Sequence, residues 1–118
     1  MLVRCTAKAL GLVGRAELRP DAVDDPNEWY LNLLWLDRRK CLVLVHAATL
    51  YSTFVRDVRK ADLQPFGQWA VAAAASALAE EGFDSDLFGA LAPNSVGTSK
   101  TASRSILGFM NDMALHIE

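Results

Sequence analysis

The chain is short of most of the features that announce an activity. It holds two cysteines, Cys5 and Cys41, too few for a disulfide framework, and they read as reduced thiols of a cytoplasmic protein. No window approaches 18 uninterrupted apolar residues, and the opening MLVRCTAKALGLVG has no A-x-A cleavage pattern. These absences argue against a membrane span and a secretion signal. A Walker loop, a G-x-G-x-x-G turn and a G-x-S-x-G elbow are missing, which leaves nucleotide binding and nucleophile-elbow hydrolysis by those routes unsupported. There is no internal repeat, low-complexity tract or domain boundary, so one domain is expected over residues 1–118.

Hydrophobic residues are plentiful at 52%, charged residues make up 22%, and the formal net charge is −2. This balance is that of a globular chain with one core. Charge is unevenly distributed. Arg38 to Lys60 carries six basic residues against one acid, a net +5, whereas Glu17 to Glu28 carries five acids against Arg19. Such asymmetry can leave a basic face on an acidic protein.

Leu2 to Cys5 is extended in character, and Thr6 offers a hydroxyl cap to a brief helix ending near Gly11 or Gly14. Arg15 to Glu28, with Pro20 and Pro26, reads as a long loop and a place for mobility. WYLNLLWL (29–36) and CLVLVHAA (41–48) are apolar at nearly every position, as strands covered on both faces are. A four-residue type I connection, Asp37 to Lys40, would join them into a hairpin. That loop pairs Leu34 with Val43, Asn32 with Val45, Leu33 with Leu44 and Leu31 with His46, setting Asn32 and His46 on opposite faces. Leu50 to Val55 completes a meander.

Pro65 can open a helix through Phe66, Trp69, Ala70, Ala73 and Ala77 toward Gly82. A short helix is expected near 86–91, and 95–100 reads as strand or loop. A long C-terminal helix, capped by Thr101, places Ile106, Met110, Met113 and Ile117 on one stripe. Arg104, Gly108 and Asn111 fall opposite, with Ser105, Asp112 and His116 beside them. The fold class is therefore α+β, a mainly antiparallel sheet with its meander near 29–55, packed by helices.

Two groups of residues carry candidate chemistry. Asp37, Arg38, Arg39 and Lys40 present three cations on a rigid support, and guanidinium groups bind oxyanions in bidentate fashion. The plainer reading of such a tip is a solvated turn or a protected edge. Arg104, Ser105, Asn111 and Asp112 combine a cation, neutral hydrogen-bonding groups and a carboxylate beside the bare backbone of Gly108. They make either a site or a network tying the helix to a turn or strand end. Asn32, the polar exception in a buried strand, needs a hydrogen-bond partner and reads as a pin for a loop or helix end. Asp112 and His116 have the spacing for a shared metal but no further ligand pair, so no metal or cofactor is implied. Ser105, His116 and Asp112 contain triad residue types without an elbow, and His46 reads as a core histidine.

WYLNLLWLDRRKC (29–41) and TASRSILGFMNDM (101–113), with the stretch from Ser52 to Leu63 between them, resemble an uncharacterised family of small bacterial domains known only as a domain of unknown function. The resemblance covers nearly the whole chain. It implies no activity or cofactor. It does suggest that Asn32, Asp37, Arg38, Arg39, Lys40, Thr101, Arg104, Ser105, Gly108, Asn111 and Asp112 belong to the motif set. The family's final-helix pattern is T-x-N-R-S, and Ser103 stands here in the asparagine position.

Three functional readings remain. One is a non-catalytic interaction or regulatory domain with a protein partner, or self-associating through the Trp-rich sheet or the alanine-rich helix. The second is a nucleic-acid-binding or nucleic-acid-processing protein using Arg38, Arg39, Lys40 and Arg104. The third is a small-molecule enzyme or sensor with a pocket beside Arg104, Asn111 and Asp112.

Overall fold

A computed structural model describes residues 1–19 and 25–117. The elements in chain order are β1 (Leu2–Cys5), α1 (Ala7–Val13), β2 (Glu28–Leu36), β3 (Arg39–His46), β4 (Ser52–Arg56), α2 (Phe66–Glu80), β5 (Gly97–Lys100) and α3 (Arg104–Ile117). Single 3-10 turns lie at Arg15–Glu17, Lys60–Leu63 and Pro93–Ser95. Of the expected long loop before β2, the start forms the turn at Arg15–Glu17 and residues 20–24 lie outside the described residues.

The five strands form one sheet in the order β4-β3-β2-β1-β5. The β2-β3-β4 meander is antiparallel as its sequence implies. The sheet as a whole is mixed and not mainly antiparallel, because β1 pairs in parallel with both β2 and β5. Four-residue strands such as β1 and β5 carry too little pattern to reveal a distant partner, and parallel partners are joined by crossovers that leave no local turn signature. Arg4 helps tie the parallel half together. Its Nε donates to Glu28 Oε2 at 2.7 Å, and a guanidinium NH2 group donates to the carbonyl of Lys100 at 3.1 Å.

Alternation along the strands divides the apolar residues between two cores. Val3, Cys5, Trp29, Leu31, Leu33, Leu42 and Leu44 pack against α1 and α2. Tyr30, Leu34, Val43 and Val45 pack against Ile106 and Met110 of α3. Met113 also packs there, while the side chain of Ile117 lies outside the described part. Helix α1 begins with the Thr6 hydroxyl accepting from the Ala9 amide at 3.2 Å. It ends at Gly14, whose φ of +110° a side chain would resist. Helix α2 buries Phe66, Ala70, Ala74, Ala77 and Leu78 along one stripe. Gly67 has no room for a side chain, since a Cβ there would collide with the Pro93 carbonyl.

Several expectations shift. The longest described helix is α2, with 15 residues against 14 in α3. No helix forms over 86–91, where the chain makes turns closed by bonds from the Leu87 amide to Asp84 O and the Gly89 amide to Asp86 O. Helix α3 is capped by Ser103, not Thr101: Ser103 Oγ accepts from the Ile106 amide at 3.3 Å. Serine is among the residues that cap helices best. The Ser103 amide in turn donates to Tyr30 Oη at 2.9 Å, docking the start of α3 on the sheet.

The hairpin differs most. Leu36 pairs with Arg39, leaving only Asp37 and Arg38 in the turn, so Leu34 faces Cys41, Asn32 faces Val43, Leu33 faces Leu42 and Leu31 faces Leu44. Asp37 and Arg38 have φ of +50° and +66°, the left-handed backbone of a type I′ turn, whose twist matches the strands. The type I loop is displaced because register shifts by two residues leave every side chain on its face, so burial alone could not choose between them. For the same reason Asn32 and His46 do lie on opposite faces.

Arginine in the left-handed region costs about 1 kcal/mol that glycine does not incur. Glycine's greater freedom in the unfolded chain offsets part of this, so Arg38→Gly is expected to stabilise the protein by less than about 1 kcal/mol in urea denaturation. A loss of stability would show that the turn is not of this type.

Candidate functional site

The turn geometry determines what the hairpin tip can present. With two residues in the loop, Arg39 and Lys40 belong to β3 and point to opposite faces of the sheet, while Arg38 stays in the turn. The antiparallel return of β4 brings Arg56 opposite Cys41. Asp57, at φ +60°, ends the strand, and the Val58 amide bonds to Lys40 O. A concavity of about 360 Å³ results, lined by Asp37, Arg39, Lys40, Arg56 and Asp57 with the apolar Leu36 and Cys41.

Four cations and two carboxylates meet at this end. Arg39 donates to Asp57 Oδ2 at 3.2 Å, an exposed pair of little energetic weight. Among the described residues neither Arg38 nor Arg56 has an ion-pair partner, and both are exposed. On the other face, Lys40 Nζ stands 5.8 Å from the ring centroid of Trp35, which is 53% exposed. The end of the hairpin thus combines guanidinium groups on one side with a cation-flanked aromatic face on the other. Arg56 was not singled out as a site residue by sequence. Its signal was the +5 segment, which β4 folds back beside the tip.

The remaining sequence candidates lie elsewhere. Asn32 is buried, and its Oδ1 accepts from the Thr6 hydroxyl at 2.8 Å and from the Leu33 amide at 2.9 Å. It pins the residue that caps α1, a structural role. Arg104, Ser105, Asn111 and Asp112 are exposed along α3, and among the described residues their side chains form no hydrogen bond or ion pair. The attachment of α3 runs through Ser103 and its apolar stripe rather than through Arg104 and Asn111. A concavity at the start of α3 is lined by Ser103 and Ile106 with Asp25, Glu28 and Ala47 among others, not by the polar stripe. The His116 side chain lies outside the described part, and among the described residues no group of three or more His, Cys, Asp and Glu gathers.

Both thiols are free and buried, and they occupy opposite faces of the sheet. Burial pushes the Cys5 thiol up to about 12 and raises that of Cys41, opposed there by Arg56. Neither is a ready thiolate near neutrality.

A family model described as a domain of unknown function (DUF6933) matches residues 2–118. The chain belongs to the DUF6933 family. No curated protein and no solved structure matches it. The match spans both the hairpin tip and α3, so DUF6933 membership covers both candidate surfaces without choosing between them.

Away from the tip, this DUF6933 chain buries His46 in an aromatic cluster. The ring stacks on Phe88 at 3.8 Å between centroids and meets Trp29 edge-on at 5.1 Å. Nδ1 lies 3.0 Å from Thr49 Oγ1, while Nε2 is buried with no hydrogen-bond partner among the described residues. An orphaned acceptor is tolerated better than an orphaned donor, which favours the Nδ1–H tautomer donating to Thr49.

Burial lowers the His46 pKa below its ordinary 6.5, against a smaller opposing effect of Glu28. A base with a depressed folded pKa binds protons more readily when unfolded. Its contribution is complete above the unfolded pKa and is lost as pH falls from there toward the folded value. The midpoint of thermal unfolding is expected to drop as pH falls below about 6.5. His46→Phe, which keeps the stack on Phe88, removes that part of the slope. An unchanged slope in the variant would place the titrating group elsewhere.

Proposed function

We propose that this protein is a non-catalytic binding domain that docks single-stranded nucleic acid on the end of its β2-β3 hairpin. One observation carries the reading: Arg39, Lys40 and Arg56 line one concavity and Arg38 occupies the adjoining turn, on strands packed by cores on both faces. Guanidinium groups suit phosphate oxygens, and an exposed tryptophan beside a lysine suits a base that has left its stack. Trp35 favours a single strand over a duplex, whose bases are already stacked.

The proposed division of labour is simple. Arg39 and Arg56 neutralise backbone phosphates, with Asp57 exchanged for phosphate as the partner of Arg39. Arg38 extends the positive field beyond the turn, and Trp35 with Lys40 holds a base. Ser105 and Asp112 are exposed on α3 and His46 is buried on the face packed by α1 and α2, so none of these three lines the concavity.

Fluorescence anisotropy with a labelled single-stranded RNA at two salt concentrations tests the reading. Micromolar binding is expected, weakening with salt because phosphate contacts release counterions. Arg39→Ala/Arg56→Ala should reduce the salt slope by about 1 to 2 and the affinity at least tenfold, since each lost phosphate contact lowers the slope by about 0.7. Trp35→Ala should weaken binding at every salt concentration alike. Absence of binding at low salt, or binding indifferent to both variants, would overturn the proposal.

A further inference from the structure

The two edges of the sheet are treated differently. At the β5 edge the chain returns across it, and the Arg19 amide donates to the Thr98 carbonyl at 2.9 Å. At the β4 edge no described segment does so. The bond from the His46 amide to Tyr51 O fixes which residues of the edge strand face β3. Tyr51, Thr53 and Val55 bond inward, so Ser52, Phe54 and Arg56 direct their amides and carbonyls away from the sheet. Phe54, in the middle, is 39% exposed. Beside the strand runs a groove of about 320 Å³ between β4 and α2, lined by Val55, Trp69, Ala72, Ala73, Ser76 and Glu80 among others. Its small residues let another helix approach closely.

Charge is arranged along this edge with opposite signs at its two ends. Glu80 and Glu81, at the end of α2, lie near the start of β4, where their charges help raise the Tyr51 phenol above its usual value. Arg56, Arg59 and Lys60 leave the other end of the strand, all exposed. A two-fold axis through Phe54 would bring the acidic end of one copy to the basic end of the other.

We infer that β4 is a dimerisation edge, and that its occupant is β4 of a second copy of this chain, paired antiparallel about Phe54. Ser52 then lies opposite the partner's Arg56 and Phe54 opposite its own counterpart. The two sheets become continuous, and the α2 helices face each other across their alanines. Isologous pairing of this kind satisfies the edge amides and carbonyls and closes the assembly at two copies. It leaves the two hairpin ends at opposite extremes of the dimer, so it does not depend on the nucleic-acid reading.

Sedimentation velocity across a concentration series tests the inference. Wild-type protein should reach twice its chain mass of 12.9 kDa. Phe54→Lys, which sets two like charges together on the axis, should be monomeric with an unchanged circular dichroism spectrum. Glu80→Lys/Glu81→Lys should weaken the dimer at least tenfold, and adding Arg59→Glu/Lys60→Glu in the same chain should restore it. A wild type that stays monomeric at several hundred micromolar would overturn the inference. So would a folded Phe54→Lys variant that remains dimeric, or a charge swap without rescue.

Discussion

Strand β2 sends Trp29, Leu31 and Leu33 into one core and Tyr30 and Leu34 into the other, and β3 does the same with Leu42 and Leu44 against Val43 and Val45. Each fully buried aromatic or aliphatic side chain contributes about 1.5–3 kcal/mol. A one-residue slip would reverse every one of them. The α1 and α2 side receives the larger cluster, with the fully buried Trp29 among its members, while the α3 side is smaller and is closed chiefly by Ile106 and Met110. Because the two strands are held from above and below, the turn that joins them projects from a rigid base. The sheet therefore sets the backbone positions from which the cations at its end extend.

The same constraint explains how far the sequence could be read. Uninterrupted apolar runs identify two-faced strands, and alternation assigns each residue to a face, so the meander and the opposed placement of Asn32 and His46 follow. Parity is insensitive to a shift of two, and the tight Asp37-Arg38 turn could not be told from a four-residue loop when neither position is glycine. The parallel partners β1 and β5 were hidden for a different reason. Their pairing depends on crossovers and on long-range contacts such as Arg4 with Glu28, and four residues carry no record of those. The cap of α3 was misread by two residues because Thr101 and Ser103 are both capable hydroxyls, and the bond to Tyr30 that selects Ser103 is tertiary.

Polar residues separate by what holds them. Asn32 spends its oxygen on Thr6 and on the following amide, and Ser103 spends its amide on Tyr30 and its hydroxyl on the start of α3. These are components of the fold. Arg38 and Arg56, by contrast, make no ion pair among the described residues, and Arg38 occupies a backbone region that glycine would fill at lower cost. Side chains kept in that condition are where a functional reading belongs. The exposed stripe of α3 shares the lack of partners but not the strain, the concavity or the concentration of one charge.

Which of these two surfaces receives a ligand can be read directly from amide chemical shifts. A 15N-labelled sample titrated with a short single-stranded oligonucleotide is predicted to show its largest shifts at Asp37, Arg38, Arg39, Lys40, Arg56 and Asp57, and in the indole of Trp35. The amides of Arg104, Ser105, Asn111 and Asp112 should stay still. Shifts concentrated on α3, with the hairpin end unmoved, would contradict the account and assign the working surface to the last helix.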